Sequence, residues 1–224
     1  MALSPTLTDM EPLLRQLEQL RILPLIVIDD PDDAVPLARA LASGGVPCAE
    51  VTFRTSAAAK AIRAIADAHP DIVLGAGTVL TRDQAVLALA SGARFIVTPG
   101  FNPALVDYCQ DAGVPVFPGV CTPTEVDAAL RKGLSTVKFF PAEPMGGVSL
   151  LKAIAAPYSM MKFIPTGGIN ATNLSAYLAL DCVVACGGSW IAPQDWIRNR
   201  EFGRITAETE RAVRAAREHV GAAR

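Results

Sequence analysis

The amino-acid sequence predicts an α/β protein, a closed (β/α)8 barrel with an extra N-terminal helix. Three observations lead there. Eight short β-type runs alternate with helical stretches along the chain, the pattern of repeated β/α units. Helix start and stop residues fall where those units join. No linker or low-complexity stretch breaks the 224 residues, so residues 1–224 read as one domain. A doubly wound open sheet is the other arrangement of such units, but no Gly-x-Gly-x-x-Gly follows the first strand.

An amphipathic helix over about residues 7–20 precedes the first expected strand, Ile22 to Ile28. The next strands are expected over Cys48 to Phe53, Ile72 to Ala76, Phe95 to Thr98 and Val114 to Phe117. The last three are Thr136 to Phe139, Lys162 to Pro165 and Cys182 to Cys186. Alanine- and leucine-rich helical periodicity fills the gaps, over Asp32 to Ala42, Ser56 to Ala68, Thr81 to Ala90 and Asn102 to Ala112. It continues over Thr122 to Arg131, Gly146 to Ala156 and Asn170 to Leu180, and a final helix is expected over about residues 207–220. Thr81, Asn102, Thr122 and Asn170 stand at N-cap positions, and Thr122-Pro123-Thr124-Glu125 has the form of a capping box with proline at the first helical position. Gly44, Gly92, Gly113 and Gly133 each end a helical run before a strand.

Composition narrows the class of function. With 51% hydrophobic residues the chain can bury a sizeable core. The 20 basic and 22 acidic residues are mixed and no basic block occurs, which argues against a nucleic-acid partner. No apolar run approaches the ~18 residues of a membrane span. Met1-Ala2-Leu3-Ser4-Pro5 lacks the basic-then-apolar pattern of a secretory leader. Five cysteines, an odd number without Cys-x-x-Cys, argue against a disulfide framework and for a reducing cytoplasm. The two histidines, His69 and His219, lie in polar helical contexts and are expected at the surface, so a histidine-rich metal site is not expected.

A barrel places chemistry at the C-terminal ends of its strands. The sixth strand carries Lys138 inside Val137-Lys138-Phe139-Phe140-Pro141. An ammonium group is costly to bury, and burial lowers a lysine pKa toward a neutral, nucleophilic amine. Such an amine can form a Schiff base with a ketone. In the second strand, alternation sets Glu50, Thr52 and Arg54 on one face and Val51 and Phe53 on the other. Glu50 is expected to move protons, and Arg54 to hold a carboxylate by paired hydrogen bonds. Thr78 after the third strand offers a hydroxyl to the same carboxylate or keto oxygen. Gly167-Gly168 and Gly187-Gly188-Ser189 follow the last two strands as expected tight turns, a pattern suited to phosphate. Cys121, near the mouth without a histidine partner, is expected to be a bystander. The set points to a phosphorylated 2-keto acid cleaved through an enamine, with the iminium as electron sink and no cofactor or metal.

Five segments carry a family resemblance: Glu50-Val51-Thr52-Phe53-Arg54-Thr55, Gly75-Ala76-Gly77-Thr78-Val79, Val137-Lys138-Phe139-Phe140-Pro141-Ala142-Glu143, Pro165-Thr166-Gly167-Gly168-Ile169 and Gly187-Gly188-Ser189-Trp190. In order and spacing, from about Arg21 to Trp190, the chain resembles the 2-keto-3-deoxy-6-phosphogluconate (KDPG) aldolase family, also called 4-hydroxy-2-oxoglutarate (KHG) aldolase, of class I. The resemblance implies a homotrimer of (β/α)8 TIM barrels that cleaves KDPG to pyruvate and glyceraldehyde 3-phosphate in the Entner–Doudoroff pathway. It implies Lys138 as the Schiff-base lysine, Glu50 as general base, and Arg54 and Thr78 as carboxylate binders. Pro99 and Phe140 are implied to line the pocket, and Gly167, Gly168 and Ser189 to bind phosphate. The chain departs from the pattern in its acidic first loop, Asp29-Asp30-Pro31-Asp32-Asp33, whose carboxylates are expected to point away from a phosphate, and at Cys121. A galactonate-series aldolase with the same lysine, and a phosphosugar-binding barrel without carbon–carbon chemistry, are the rival readings.

Overall fold

The computed structural model describes residues 7–221. The expectation for Met1 to Pro5 lies outside the described residues, as does that for the His219 side chain. The protein has an α/β fold built on a curled parallel sheet. In chain order the elements are α1 (Leu7–Leu20), β1 (Ile22–Ile26), a 3-10 turn (Pro31–Asp33), α2 (Ala34–Ser43), β2 (Cys48–Thr52), α3 (Ala58–Ala68), β3 (Val73–Gly77) and α4 (Arg82–Ala90). They continue with β4 (Phe95–Val97), α5 (Pro103–Asp111), β5 (Val116–Phe117), β6 (Gly119–Val120), α6 (Pro123–Arg131), β7 (Thr136–Phe139), α7 (Ala142–Met145) and α8 (Gly147–Ala155). The last are β8 (Lys162–Pro165), α9 (Leu174–Leu178), β9 (Cys186–Gly188), α10 (Gln194–Arg198) and α11 (Phe202–Gly221).

Six strands form one sheet in the order β5-β4-β3-β2-β1-β9, and β6-β7-β8 form a second of three. Parallel pairing with helical crossovers buries both faces, which is why strands such as Thr136-Val137-Lys138-Phe139 are buried at every position. Register sets one concave row. Leu25 pairs with Glu50, Glu50 with Gly75 and Gly75 with Phe95. On the other sheet Gly119 pairs with Lys138 and Lys138 with Ile164. The layer beneath the helices is apolar, with Ile22, Val51, Val137, Phe139 and Phe163 fully buried. Each such side chain contributes about 1.5–3 kcal/mol of hydrophobic free energy.

The expected caps at Thr81, Asn102 and Thr122 all accept backbone hydrogen bonds, and Thr122 with Glu125 completes the capping box. Gly92, Gly113 and Gly133 adopt the left-handed backbone after their helices. After α2 that role belongs to Gly45, at φ 95°, while Gly44 stays right-handed because its Cα faces Thr209 of α11. Asn170 does not cap a helix. Its side chain accepts from Thr172, and α9 begins only at Leu174, where Asn173 holds the N-cap position without a side-chain capping bond because its Oδ1 accepts from Asn170 N. Local Asx bonding competes with the helix over Asn170–Asn173.

Six of the eight expected strands differ in span, three of them by more than one residue at an end. β1 stops at Ile26 because side-chain hydroxyls, not ladder amides, take the next carbonyls: Thr52 bonds Ile26 O and Thr55 bonds Ile28 O. The fifth strand does not end at Phe117. It continues as β6 to Val120, interrupted only where Pro118 has no N–H to give. The last strand is Cys186–Gly188, not Cys182 to Cys186. Its lead-in first leans on β8, through Phe163 N to Cys182 O at 2.7 Å, before pairing with β1. Gly187-Gly188 is therefore strand and not a turn. A Cβ at Gly187 would lie 2.3 Å from Thr166 Oγ1, and one at Gly188 would lie 2.0 Å from the Trp190 ring, so both must be glycine to pair at all. Among the described residues no helix is long and apolar enough to cross a membrane.

Gly75 gives a direct test of this packing. A Cβ there would meet the Phe95 ring at 2.2 Å, and that ring stacks at 5.8 Å on Phe117. Gly75→Ala should cost about 1–3 kcal/mol through overpacking. The measurement is the thermal midpoint, which should fall by several degrees, roughly 2–4 °C per kcal/mol.

Candidate active site

Lys138 on β7 and Glu50 on β2 face each other across the concave row. Lys138 Nζ lies 3.3 Å from Glu50 Oε1, and the two residues are only 4% and 0% exposed. Two strands 88 residues apart in sequence thus deliver one amine and one carboxylate to the same buried point. Among the described residues the second carboxylate oxygen, Oε2, has no hydrogen-bond partner, and neither does the buried Thr136 hydroxyl. Glu50 fits because β3 presents no side chain beneath it. A Cβ at Gly77 would sit 2.2 Å from Glu50 Oε1 and 2.7 Å from its Cγ.

Phe140 connects this pair to the surface. Its ring centroid lies 5.2 Å from Lys138 Nζ, a cation–π distance. The same residue lines a cleft of about 300 Å³ that also touches Leu25, Arg54, Thr166, Gly167, Gly168 and Ser189. A second lobe of about 380 Å³ shares Leu25, Arg54, Ser189 and Trp190 and runs on toward Gln194. Arg54 stands where the lobes meet, exposed and without a carboxylate partner among the described residues. Such a guanidinium is free to grip a carboxylate bidentately.

The cleft thus gathers five expected residues, Arg54, Phe140, Gly167, Gly168 and Ser189, above the buried Lys138 and Glu50. Thr78 and Pro99 lie outside its lining. Thr78 follows Gly77 with φ 52°, a left-handed backbone that β-branched residues rarely adopt and that costs on the order of 1–3 kcal/mol. Pro99 packs against β6, where a Cβ at Gly119 would lie 2.1 Å from Pro99 O. Gly119 is the residue paired with Lys138, so Pro99 buttresses the strand beside the lysine. Gly77, Gly119 and the buried Thr166 were not singled out as site residues from the sequence. Their value lies in what sits across from them, and only the third dimension reports that.

Gly167 and Gly168 both adopt positive φ, 101° and 81°, as glycine readily does. Cys121 is half-buried, its thiol pKa raised by burial and by Glu125, so it holds less thiolate than a free cysteine. All five cysteines are free. Among the described residues no group of three or more His, Cys, Asp and Glu side chains is placed to hold a metal ion. The acidic loop is occupied elsewhere. Asp29 accepts from Arg198 Nε at 2.7 Å and Gln194 at 2.8 Å, and Arg200 pairs with the buried Asp33 at 2.8 Å and with Asp30 at 3.8 Å. Arg198 and Gln194 hold the Asp29 carboxyl below the usual carboxylate range.

Comparison with known proteins gives a consistent picture. The family model for KDPG and KHG aldolase matches residues 13–208. A 2-dehydro-3-deoxy-phosphogluconate aldolase of Treponema pallidum is 50% identical over 197 residues, 88% of this chain and 94% of that one. A KHG/KDPG aldolase of Escherichia coli K12 is 43% identical over 196 residues, covering 88% and 92%. Among solved structures, a KDPG aldolase from Legionella pneumophila with pyruvate captured as a covalent carbinolamine superposes with a TM-score of 0.86 at 40% identity, covering 88% of this chain and 96% of that one.

The Asp29 contacts make a pH prediction. A carboxyl whose folded pKa is depressed adds stability above its unfolded pKa of about 4, and that contribution is lost as pH falls through the folded value. In Arg198→Ala, Asp29 should titrate closer to the ordinary carboxylate value, as read by NMR of its carboxyl carbon. An Asp29 titration unmoved by the substitution would show that Gln194 alone sets it.

Proposed function

The chain belongs to the KDPG and KHG aldolase family, and from that premise we propose that it is a class I aldolase cleaving 2-keto-3-deoxy-6-phosphogluconate to pyruvate and glyceraldehyde 3-phosphate. The same chemistry would cleave 4-hydroxy-2-oxoglutarate to pyruvate and glyoxylate. The observation that carries this reading is the Lys138 amine, buried and 3.3 Å from Glu50, beneath a cleft with a free arginine at one side and a diglycine turn at the other.

Each step follows from those groups. Arg54, helped by the Thr78 hydroxyl, holds the substrate carboxylate. Lys138 Nζ attacks the C2 ketone, and Glu50 relays protons as the carbinolamine forms and loses water to give the iminium. Glu50, directly or through a water, then takes the proton of the C4 hydroxyl. The C3–C4 bond breaks, its electrons pass into the iminium, and glyceraldehyde 3-phosphate leaves. Protonation of the resulting enamine at C3 and hydrolysis of the Schiff base release pyruvate and restore the lysine. Phe140 walls the reacting carbons, and Pro99 supports the strand beside the lysine from behind Gly119. The turn at Gly167 and Gly168, with the Ser189 hydroxyl, holds the phosphate by neutral donors.

We read the architecture as a single closed (β/α)8 domain. Support comes from the Val116–Val120 segment, which pairs with β4 on one side and β7 on the other. The bridges Phe163–Val183 and Thr166–Gly187 support the same closure. The family resemblance supports a homotrimer. Leu80, Val86 and Leu87, exposed together on and before α4, would suit a contact between copies. The free cysteines support a cytoplasmic location.

Borohydride reduction in the presence of pyruvate, followed by peptide mass mapping, tests the reading. A pyruvyl adduct on Lys138 is expected, and folded protein without an adduct would overturn the Schiff-base mechanism. Glu50→Gln should keep the fold and lower kcat by about 10²–10⁴-fold, the usual share of a general acid–base. Steady-state assay coupled to pyruvate reports it.

A further inference from the structure

The phosphate end of the cleft raises a question of placement. Of the residues lining that cleft only Arg54 is charged, and the substrate carboxylate engages it. A phosphate dianion must then be held by backbone and hydroxyl donors. Neutral donors act through direction, so they work only if the turn carrying them is fixed beforehand.

Glu143 is what fixes it. Its backbone N–H bonds Gly167 O at 3.0 Å, next to Ala142 N on Thr166 O at 2.8 Å. Its stem lies against the turn, since a Cβ at Gly168 would sit 2.6 Å from Glu143 Cβ. Its carboxylate accepts the hydrogen bond of the Tyr177 phenol, and Tyr177 is fully buried on α9, the helix that follows the turn. Gly147 closes over the pair, where a Cβ would lie 2.8 Å from Glu143 Oε1 and 3.3 Å from Tyr177 Oη. Asn170 and Asn173 hold Gly168 O from the far side, at 3.3 and 3.1 Å. Glu143 is also five residues beyond Lys138 on the same segment. Neither Glu143 nor Tyr177 lines the cleft, so neither touches substrate.

We propose that Glu143 and Tyr177 form a strut that sets the Gly167–Gly168 turn at a fixed distance from Lys138 and so confers preference for a phosphorylated over an unphosphorylated 2-keto acid. Both are positioning residues. The proposal rests on the reading of that turn as the phosphate holder and of Lys138 as the Schiff-base lysine.

The test compares wild type, Tyr177→Phe, Glu143→Ala and Glu143→Gln. Each is assayed with 2-keto-3-deoxy-6-phosphogluconate, with unphosphorylated 4-hydroxy-2-oxoglutarate, and by the rate of pyruvate trapping on Lys138. Tyr177→Phe and Glu143→Ala should raise KM for the phosphorylated substrate about fivefold or more, as expected for one lost charge-assisted hydrogen bond acting indirectly. Their kcat, their kinetics with the unphosphorylated acid and their trapping rates should stay near wild type. Glu143→Gln should restore near wild-type KM, because its amide oxygen still accepts from the phenol. An equal loss on both substrates, or no change on either, would overturn the strut while normal trapping left the aldolase reading intact. Absence of trapping in wild type would overturn both.

Discussion

The structure turns on a buried ion pair. Removing an ammonium and a carboxylate from water costs several kcal/mol per ion, and their mutual attraction offsets that only when geometry and further polar contacts are good. Here the geometry is supplied and the further contacts are not, because Glu50 Oε2 and the Thr136 hydroxyl lack partners among the described residues. A core designed for stability alone would put leucine and methionine in those places. Lys138 and Glu50 persist because the surrounding sheet is over-determined, with Phe139, Phe163 and Val51 fully buried behind them. Unsatisfied polar valence beside a buried amine is a stability cost of the kind that clusters at functional sites.

Much of this was legible in the sequence, for definable reasons. The pair showed itself because charges at alternating positions of apolar strands have only the concave face to occupy. The capped helices declared themselves through Thr81, Asn102 and Thr122, whose bonds are local. What escaped was contact across space. The glycines at 75, 77 and 119 are small because Phe95, Glu50 and Pro99 occupy the volume above them. Gly187-Gly188 looked like a turn for the same reason, since its glycines answer to Thr166 and Trp190 and not to backbone bending. Boundaries failed where side chains took over backbone bonds, from the sheet ladder at Ile26 and from the helix start at Asn170.

Charge at the mouth follows from a division among arginines. Arg198 and Arg200 are drawn to Asp29, Asp30 and Asp33, beside the second lobe of the cleft. That pairing cancels much of the negative field an acidic loop would otherwise cast toward an anionic substrate, a field that exposed charges feel over roughly 8–10 Å. Arg54 has no carboxylate partner among the described residues, so its guanidinium is available to a ligand.

The two ends of a phosphorylated keto acid must be recognised at a set separation, and the segment from Lys138 to Glu143 is suited to fix it. Lys138 bonds backward to the link between β5 and β6, through its N–H to Pro118 O at 2.9 Å, and Glu143 bonds forward to the diglycine turn. Between them Phe139 O accepts Thr166 N at 2.9 Å, locking the segment to the residue that follows β8. Six consecutive residues thus carry the proposed nucleophile, a cleft-lining ring at Phe140 and the proposed brace of the diglycine turn. A rigid local segment transmits its own length to the site without depending on the mutual motion of distant loops. If the two proposed anchors hold, the separation between them is set chiefly by the covalent chain itself, and the rest of the fold serves to keep that chain still.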